Sequence, residues 1–267
     1  MTISTISFAP SVDALCDALA VSGRRLSVIM RQVMDASPTA VGTWTIGETA
    51  QHVSGSAEYL LAAARGQAEL ERIDEVEASN ARALADNPER DPRILADRFN
   101  RGEEALVAYA RKVDSDPGVS PYADVEVPLS ALLGLELGEV LVHGFDIARA
   151  AGLPWHIARA HAVLTTQAIL PLLPYTLDRQ SAAGIRLAID LRLRTMAPLV
   201  LRVEDGALTF EHYSRQRVDC HISADPVVYL LLGYNRISPW KPMLRGQLIA
   251  WGRRPWRVND LQALLKT

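Results

Sequence analysis

The sequence has only two cysteines, Cys16 and Cys220, far apart and in no C-x-x-C arrangement. That excludes a disulfide scaffold and a cysteine-rich zinc site, and each reads as a small buried apolar residue. No stretch reaches the ~18 uncharged apolar residues of a membrane helix, and Met1–Phe8 shows no basic region leading into an apolar core, so the expected location is the cytoplasm. An excess of positive charge is missing too. With a formal net charge of −3 and an isoelectric point near 6.1, no global field exists to hold nucleic acid or an anionic membrane. Lysine is scarce, three beside 25 arginines, a hint of a GC-rich bacterial genome. Internal repeats and low-complexity tracts are absent. What is present, 49% hydrophobic and 22% charged residues over 267 positions, is the make-up of a soluble globular protein with room for two domains. Small-molecule chemistry is the favoured class.

The first ~175 residues read as helices. Val12, Leu15, Leu19, Leu26, Ile29, Met30 and Val33 recur at helical intervals, which predicts an amphipathic helix ending near Ser37-Pro38. Thr45-Ile-Gly-Glu48 is a capping box opening a second helix, with His52 about two turns inside. Asp91-Pro92 joins an N-cap to a first-turn proline and opens a third, running to about Val113. Between them the charged stretch Glu69 to Arg90 reads as a solvated helix end and loop. Pro128 opens a fourth helix, closed at Ala151-Gly152 before Pro154. Four helices with modest connections suggest a bundle, whose interior is a usual place for ligands from facing helices. A further helix, Trp155 to Leu173, leads to a linker marked by Pro171, Pro174 and the stretch Asp178 to Gly184.

Beyond the linker the period becomes two. Ile185, Leu187, Ile189, Leu191 and Leu193 alternate with polar or small residues, and Leu199 to Phe210 continues as a hairpin around Asp205-Gly206. Val218, Cys220 and Ile222 form another strand, and Asp225-Pro226 opens a helix through Leu232. The expectation is an α+β chain of two domains, residues 1–175 a helical bundle and 183–267 a small α/β layer.

Glu139 and His143 carry the clearest chemistry. Four residues on a helix turn about 400°, so carboxylate and imidazole project from one face, one turn apart. Such a pair is also a common surface hydrogen bond. Here, though, the helix from Leu135 to Ala148 is otherwise apolar, and an unpaired buried carboxylate is costly. With His52 as third ligand, two nitrogens and one oxygen would hold a divalent ion and leave a position open, the pattern of catalytic zinc.

With these residues in view the chain resembles the mycothiol-dependent maleylpyruvate isomerase family, within the larger DinB-like group of metal-binding bundles. Trp44-Thr-Ile-Gly-Glu-Thr-Ala-Gln-His52 matches that family's Trp-(Ser/Thr)-x-(Gly/Arg)-(Glu/Asp)-x-x-x-His segment. Glu139-Val-Leu-Val-His-Gly-Phe-Asp-Ile-Ala148 matches Glu-x-x-x-His-Gly-Trp-Asp-x-Ala, with Phe145 where tryptophan is frequent. The stretch from Ile185 to Leu265 resembles the family's sterol-carrier-like C-terminal domain, with Asp225 to Gly233 and Gly246 to Gly252 in the expected order. The resemblance implies a DinB-like four-helix bundle in which His52, Glu139 and His143 bind a divalent metal, usually zinc, with mycothiol as cofactor.

A metal there would favour the thiolate of a small thiol, the nucleophilic form. Addition to a cis-enone diacid, rotation and elimination would give the trans isomer; a substrate with a leaving group or epoxide would give a stable conjugate. Asp146, one turn beyond His143, could orient a metal-bound imidazole or a cofactor amine. Arginine suits an acidic substrate because its fork binds carboxylates in pairs. Among Arg236, Arg245, Arg253, Arg254 and Arg257, the family's use of a C-terminal-domain arginine favours Arg236 and Arg245. Trp44 reads as a packing anchor, His156, His161, His212 and His221 as surface or satisfied residues, and Trp251 to Arg257 as an ordinary turn. Two other readings stay open: a non-catalytic ligand-binding or regulatory protein, and a thiol-independent metal hydrolase.

Overall fold

The structure, a computed structural model, describes residues 9–214 and 216–265. The Met1–Phe8 segment considered above lies outside them. The described chain divides into two compact units, one from Pro10 to Ile157 and one from Ala158 onward. Among the described residues no helix is long and apolar enough to cross a membrane.

The first unit opens with helix α1 (Val12–Gln32), capped by the Ser11 hydroxyl. It stops short of Ser37-Pro38 because Asp35 accepts from both the amide and the hydroxyl of Ser37, a local turn that competes with the helix. A small hairpin of β1 (Thr39–Val41) and β2 (Trp44–Thr45) feeds α2 (Ile46–Ala64), where the capping box forms: Glu48 N donates to Thr45 Oγ1, and Thr45 N to Glu48 Oε2. The charged stretch expected as a solvated helix end and loop holds a helix of its own, α3 (Val76–Asp86). Its pattern hid it because Leu84 is its one buried side chain. Helix α4 (Pro92–Ala110) follows its Asp91 cap, and a hairpin of β3 (Gly118–Tyr122) and β4 (Val125–Pro128) leads into α5 (Leu129–Ala150). Gly152, at φ +68°, ends α5 in the left-handed conformation that favours glycine.

Helices α1 and α2 each pack against both α4 and α5 around a core of Leu15, Leu19, Leu26, Ile46, Phe99, Leu106, Leu132, Leu133 and Leu137. Helix α5 is buried on nearly every side, so its polar residues Glu136, His143 and Asp146 are interior groups that need partners.

The division at Ile157 differs from the expected boundary near residue 175. The helix foreseen from Trp155 to Leu173 is shorter, α6 (Arg159–Ala168), and ends three residues ahead of Pro171. It belongs to the second unit, packing on α8 (Pro226–Gly233), with Arg159 Nε donating to Asp225 at 2.7 Å. A short α7 (Leu173–Thr176) precedes the sheet.

Five strands, β5 (Arg186–Leu193), β6 (Leu199–Glu204), β7 (Ala207–His212), β8 (Cys220–Ala224) and β9 (Leu248–Trp251), stand in the order β7-β6-β5-β8-β9. Only β5 and β8 run parallel. The β6–β7 hairpin turns at Asp205-Gly206, both at positive φ, as Asp-Gly favours. One face of the sheet buries Leu187, Ile189, Leu191, Leu199, Leu201 and Ile222 against Val163, Leu170, Leu261 and Leu264. Between β8 and β9 lie α8 and α9 (Trp240–Leu244), and α10 (Val258–Leu264) closes the unit.

Candidate metal centre

His52 rises from the second turn of α2, whose start is fixed by the Thr45–Glu48 box. Glu139 and His143 face it from α5. The Nε2 atoms of His52 and His143 both approach Glu139 Oε2, at 3.0 and 3.1 Å. The ligand atoms of the three residues all lie within 4.8 Å of one another, and the two imidazoles meet edge to face with centroids 5.1 Å apart. The cluster keeps an open side, with side-chain exposures of 16% for His52, 19% for Glu139 and 9% for His143.

Asp146 is wholly buried and its Oδ2 lies 3.2 Å from His143 Nδ1. With the ring proton on Nδ1 donated to Asp146, Nε2 carries a lone pair toward the cluster. Burial alone would lower the basicity of His143, but its bonds to Asp146 and Glu139 outweigh that and raise it to about 9. Burial likewise opposes the charge of Glu139, yet the two imidazoles bonded to it hold its carboxyl well below the usual range. Tyr122 of β3 is pushed up by burial and then by the charge of Glu139. Two neutral-capable imidazole nitrogens and one ionised carboxylate, converging without an arginine or lysine among them, fit a borderline divalent cation.

Several neighbours shape this cluster. Trp44, read above as a packing anchor, lies with its ring 5.1 Å from that of His52. Trp155 explains the glycine after His143: a Cβ at Gly144 would meet the indole at 2.3 Å, and Trp155 Nε1 donates to Leu141 O at 3.1 Å. Phe145 lies under the Arg149 guanidinium, which also donates to Ala40 O and ties the end of α5 to β1. One helical turn from the cluster, Ser56 of α2 donates to Glu136 of α5 at 3.0 Å, and Glu136 is paired with Glu103 of α4. Sequence reasoning did not single out Glu103, Glu136, Ser56 or Tyr122. Glu136 and Glu103 were detectable only as acids on otherwise apolar helix faces.

Arg236 and Arg245 belong to the second unit. Arg236 follows α8 and donates to Tyr234 O at 2.6 Å, and Arg245 is the exposed C-cap of α9.

Residues 13–148, about half of the chain, match the mycothiol maleylpyruvate isomerase N-terminal domain. The chain belongs to this family. The matched segment contains the whole His52, Glu139 and His143 cluster. Among solved structures, a mycothiol-dependent maleylpyruvate isomerase is similar with a TM-score of 0.52 and 15% identity, over 86% of this chain and 91% of that one. A histidine-to-alanine mutant of such an isomerase gives 0.53 and 14%, over 90% and 93%. At these identities the likeness is one of fold, and it extends over both units of the family member described here. A sec-alkylsulfatase from a Pseudomonas species is matched at 17% identity with a TM-score of 0.36, over 52% of this chain but only 24% of the sulfatase. A comparison with curated proteins finds no match.

Proposed function

We propose that this protein is a metal- and mycothiol-dependent enzyme that activates the thiol for addition to a small electrophile. The reaction would be cis–trans isomerisation of a maleylpyruvate-type substrate or transfer of the sulfur. The observation that carries the reading is the convergence of His52, Glu139 and His143 on one solvent-reached point, backed by a buried Asp146. Family membership supports the choice of thiol.

When bound there, a divalent ion such as zinc supplies a positive charge that favours the thiolate form of a small thiol at neutral pH. The chain's own residues do the rest. His52, Glu139 and His143 would hold the ion, and Asp146 keeps the His143 ring turned with Nε2 inward. Trp44 covers the His52 ring on one side. Arg236 and Arg245 are proposed to read the carboxylates of an acidic substrate. In this reading the first unit is a DinB-like four-helix bundle and the second a sterol-carrier-like domain.

Neither cysteine suits an internal nucleophile. Cys16 and Cys220 are both fully buried, and burial raises both thiols, Cys220 to about 11. An external thiol is therefore needed. The test measures metal content and turnover together. The purified protein should carry about one zinc-like ion per chain, and His52→Ala and His143→Ala should each lose most of it. Turnover of a cis-enone diacid should saturate with mycothiol and survive Cys16→Ser and Cys220→Ser. Full metal occupancy in both histidine variants would remove the site. Turnover without any thiol would favour the metal hydrolase instead.

A further inference from the structure

The five-stranded sheet has a second face, turned away from its core, and its polar residues there are not scattered. Asp190 of β5, His221 of β8 and Trp251 of β9 stand opposite one another across three adjacent strands. One oxygen of Asp190, Oδ2, accepts from Arg192 Nε at 2.7 Å and from His221 Nδ1 at 2.6 Å. The His221 ring stacks on the indole of Trp251, with centroids 5.1 Å apart and planes 14° from parallel. The guanidinium of Arg192 lies over Tyr213 at 5.1 Å and over Trp251 at 5.7 Å. His221, expected from sequence as a surface or satisfied residue, is thus one member of a built cluster.

Asp190 is wholly buried, and its other oxygen, Oδ1, has no partner among the described residues. A buried carboxylate is costly, so its two partners matter. They are not buried with it: the side chains of His221 and Arg192 are 22% and 39% exposed. A bond serving only to staple two strands does not require a fully desolvated acid holding two side chains that reach solvent. The arrangement instead fixes orientation. With Nε committed to Asp190, Arg192 retains the outer edge of its guanidinium. With Nδ1 committed, His221 retains Nε2. Among the described residues neither has a hydrogen-bond partner on that outer edge, and Trp251, 39% exposed, lies beside both.

We propose that this face of the second unit binds a small planar carboxylate. The outer edge of Arg192 takes the carboxylate oxygens in pairs, as a guanidinium does best, with the His221 ring beside it as the group that senses binding. One guanidinium edge matches a single carboxylate group better than a polyanion. The indole of Trp251 offers an apolar shelf to the carbon skeleton. All five residues of the cluster belong to the second unit, so the proposal does not rest on the metal centre.

The test uses the full-length protein and the ring signals of its histidines in carbon–proton NMR spectra, with the His221 signal assigned by its loss in His221→Gln. Benzoate, acetate and inorganic phosphate are titrated separately. Benzoate should move the His221 signal and saturate below about 10 mM, the strength of a weak but specific small-anion site. Arg192→Lys, which keeps the charge and loses the planar fork, should raise the midpoint about tenfold. Trp251→Leu should weaken benzoate more than acetate. An unmoved His221 signal, an equal midpoint in Arg192→Lys, or phosphate binding as tightly as benzoate would each overturn the proposal. Shifts confined to His52 and His143 would place the anion at the metal centre, which overturns this site and leaves the proposed function standing.

Discussion

Replacing Glu103 by glutamine should weaken a pH dependence of stability that the fold builds into its first unit. Glu103 of α4 and Glu136 of α5 are 5% and 0% exposed. Three of their four carboxylate oxygens have no ordinary donor, and the fourth, Glu136 Oε1, accepts from Ser56 at 3.0 Å. Gly23 of α1 makes room for the pair, since a Cβ there would come within 3.2 Å of Glu103 Oε2. Two carboxylates cannot both ionise in such a place, so the pair holds its protons to higher pH than free carboxyls do. Burial pushes Glu103 up to about 7, against a smaller lowering by its bond with Glu136. Glu136 is raised well above the ordinary range, first by burial and then by the charge of Glu103.

The sign follows from which state holds the proton more tightly. Here the folded state does, because the Glu103 carboxyl is raised from 4.5 to about 7. The stabilisation is fully present below the unfolded value and is lost as pH climbs through about 7. At about 1.4 kcal/mol for each tenfold change in proton affinity, the loss amounts to about 3 kcal/mol on the alkaline side. Glu103→Gln keeps the shape and supplies an N–H to Glu136. Urea unfolding followed by the helical circular dichroism signal, with chelator present, should show the wild type losing stability between pH 5 and pH 8. The variant keeps the raised His143 and so also declines, but less steeply, differing from wild type by under ~1 kcal/mol at pH 5 and exceeding it by ~2–3 kcal/mol at pH 8. Parallel pH curves for the two proteins would refute the raised Glu103 carboxyl.

Other consequences are sharper in scope. Asp146→Asn, which weakens the group orienting His143, should lower metal affinity about 10- to 100-fold in a chelator competition, and an unchanged affinity would leave Asp146 without that role. Gly144→Ala forces a methyl into the Trp155 indole and should cost about 1–3 kcal/mol by thermal melting; a melt like that of the parent would mean the indole can move aside. Thr45→Ala removes the hydroxyl half of the capping box at the start of α2 and should cost about 1 kcal/mol, read from the same melts.

What could be read in the sequence was what lies close along the chain. Caps and periods are local, so the starts of α2, α4, α5 and α8 were legible from Thr45, Asp91, Pro128 and Asp225. Spacing on one helix brought Glu139 and His143 together, His52 of the capped second helix was offered as the third ligand, and the resemblance implied the same three residues. Helix α3 was missed because one buried leucine makes no stripe, and nothing local to α6 says that it packs on α8. The pairings Ser56–Glu136, Glu103–Glu136 and Asp190–His221 depend on register between elements far apart in sequence, which no local pattern encodes. An acid on an apolar face was the available signal, and it does not say what the acid meets.

The two histidine sites share one device and diverge by their company. Asp146 and Asp190 are both wholly buried, and each engages the Nδ1 of a histidine, at 3.2 and 2.6 Å. In both, the acid fixes the ring and leaves Nε2 pointing away from it. Around His143 that atom faces the ionised Glu139 and a second imidazole, so the surroundings are electron-rich and favour a cation. Around His221 the buried Asp190 also holds Arg192, so an outward guanidinium stands beside the ring and favours an anion. The buried carboxylate supplies orientation in each case, and the residues placed beside the imidazole decide the sign of the ligand.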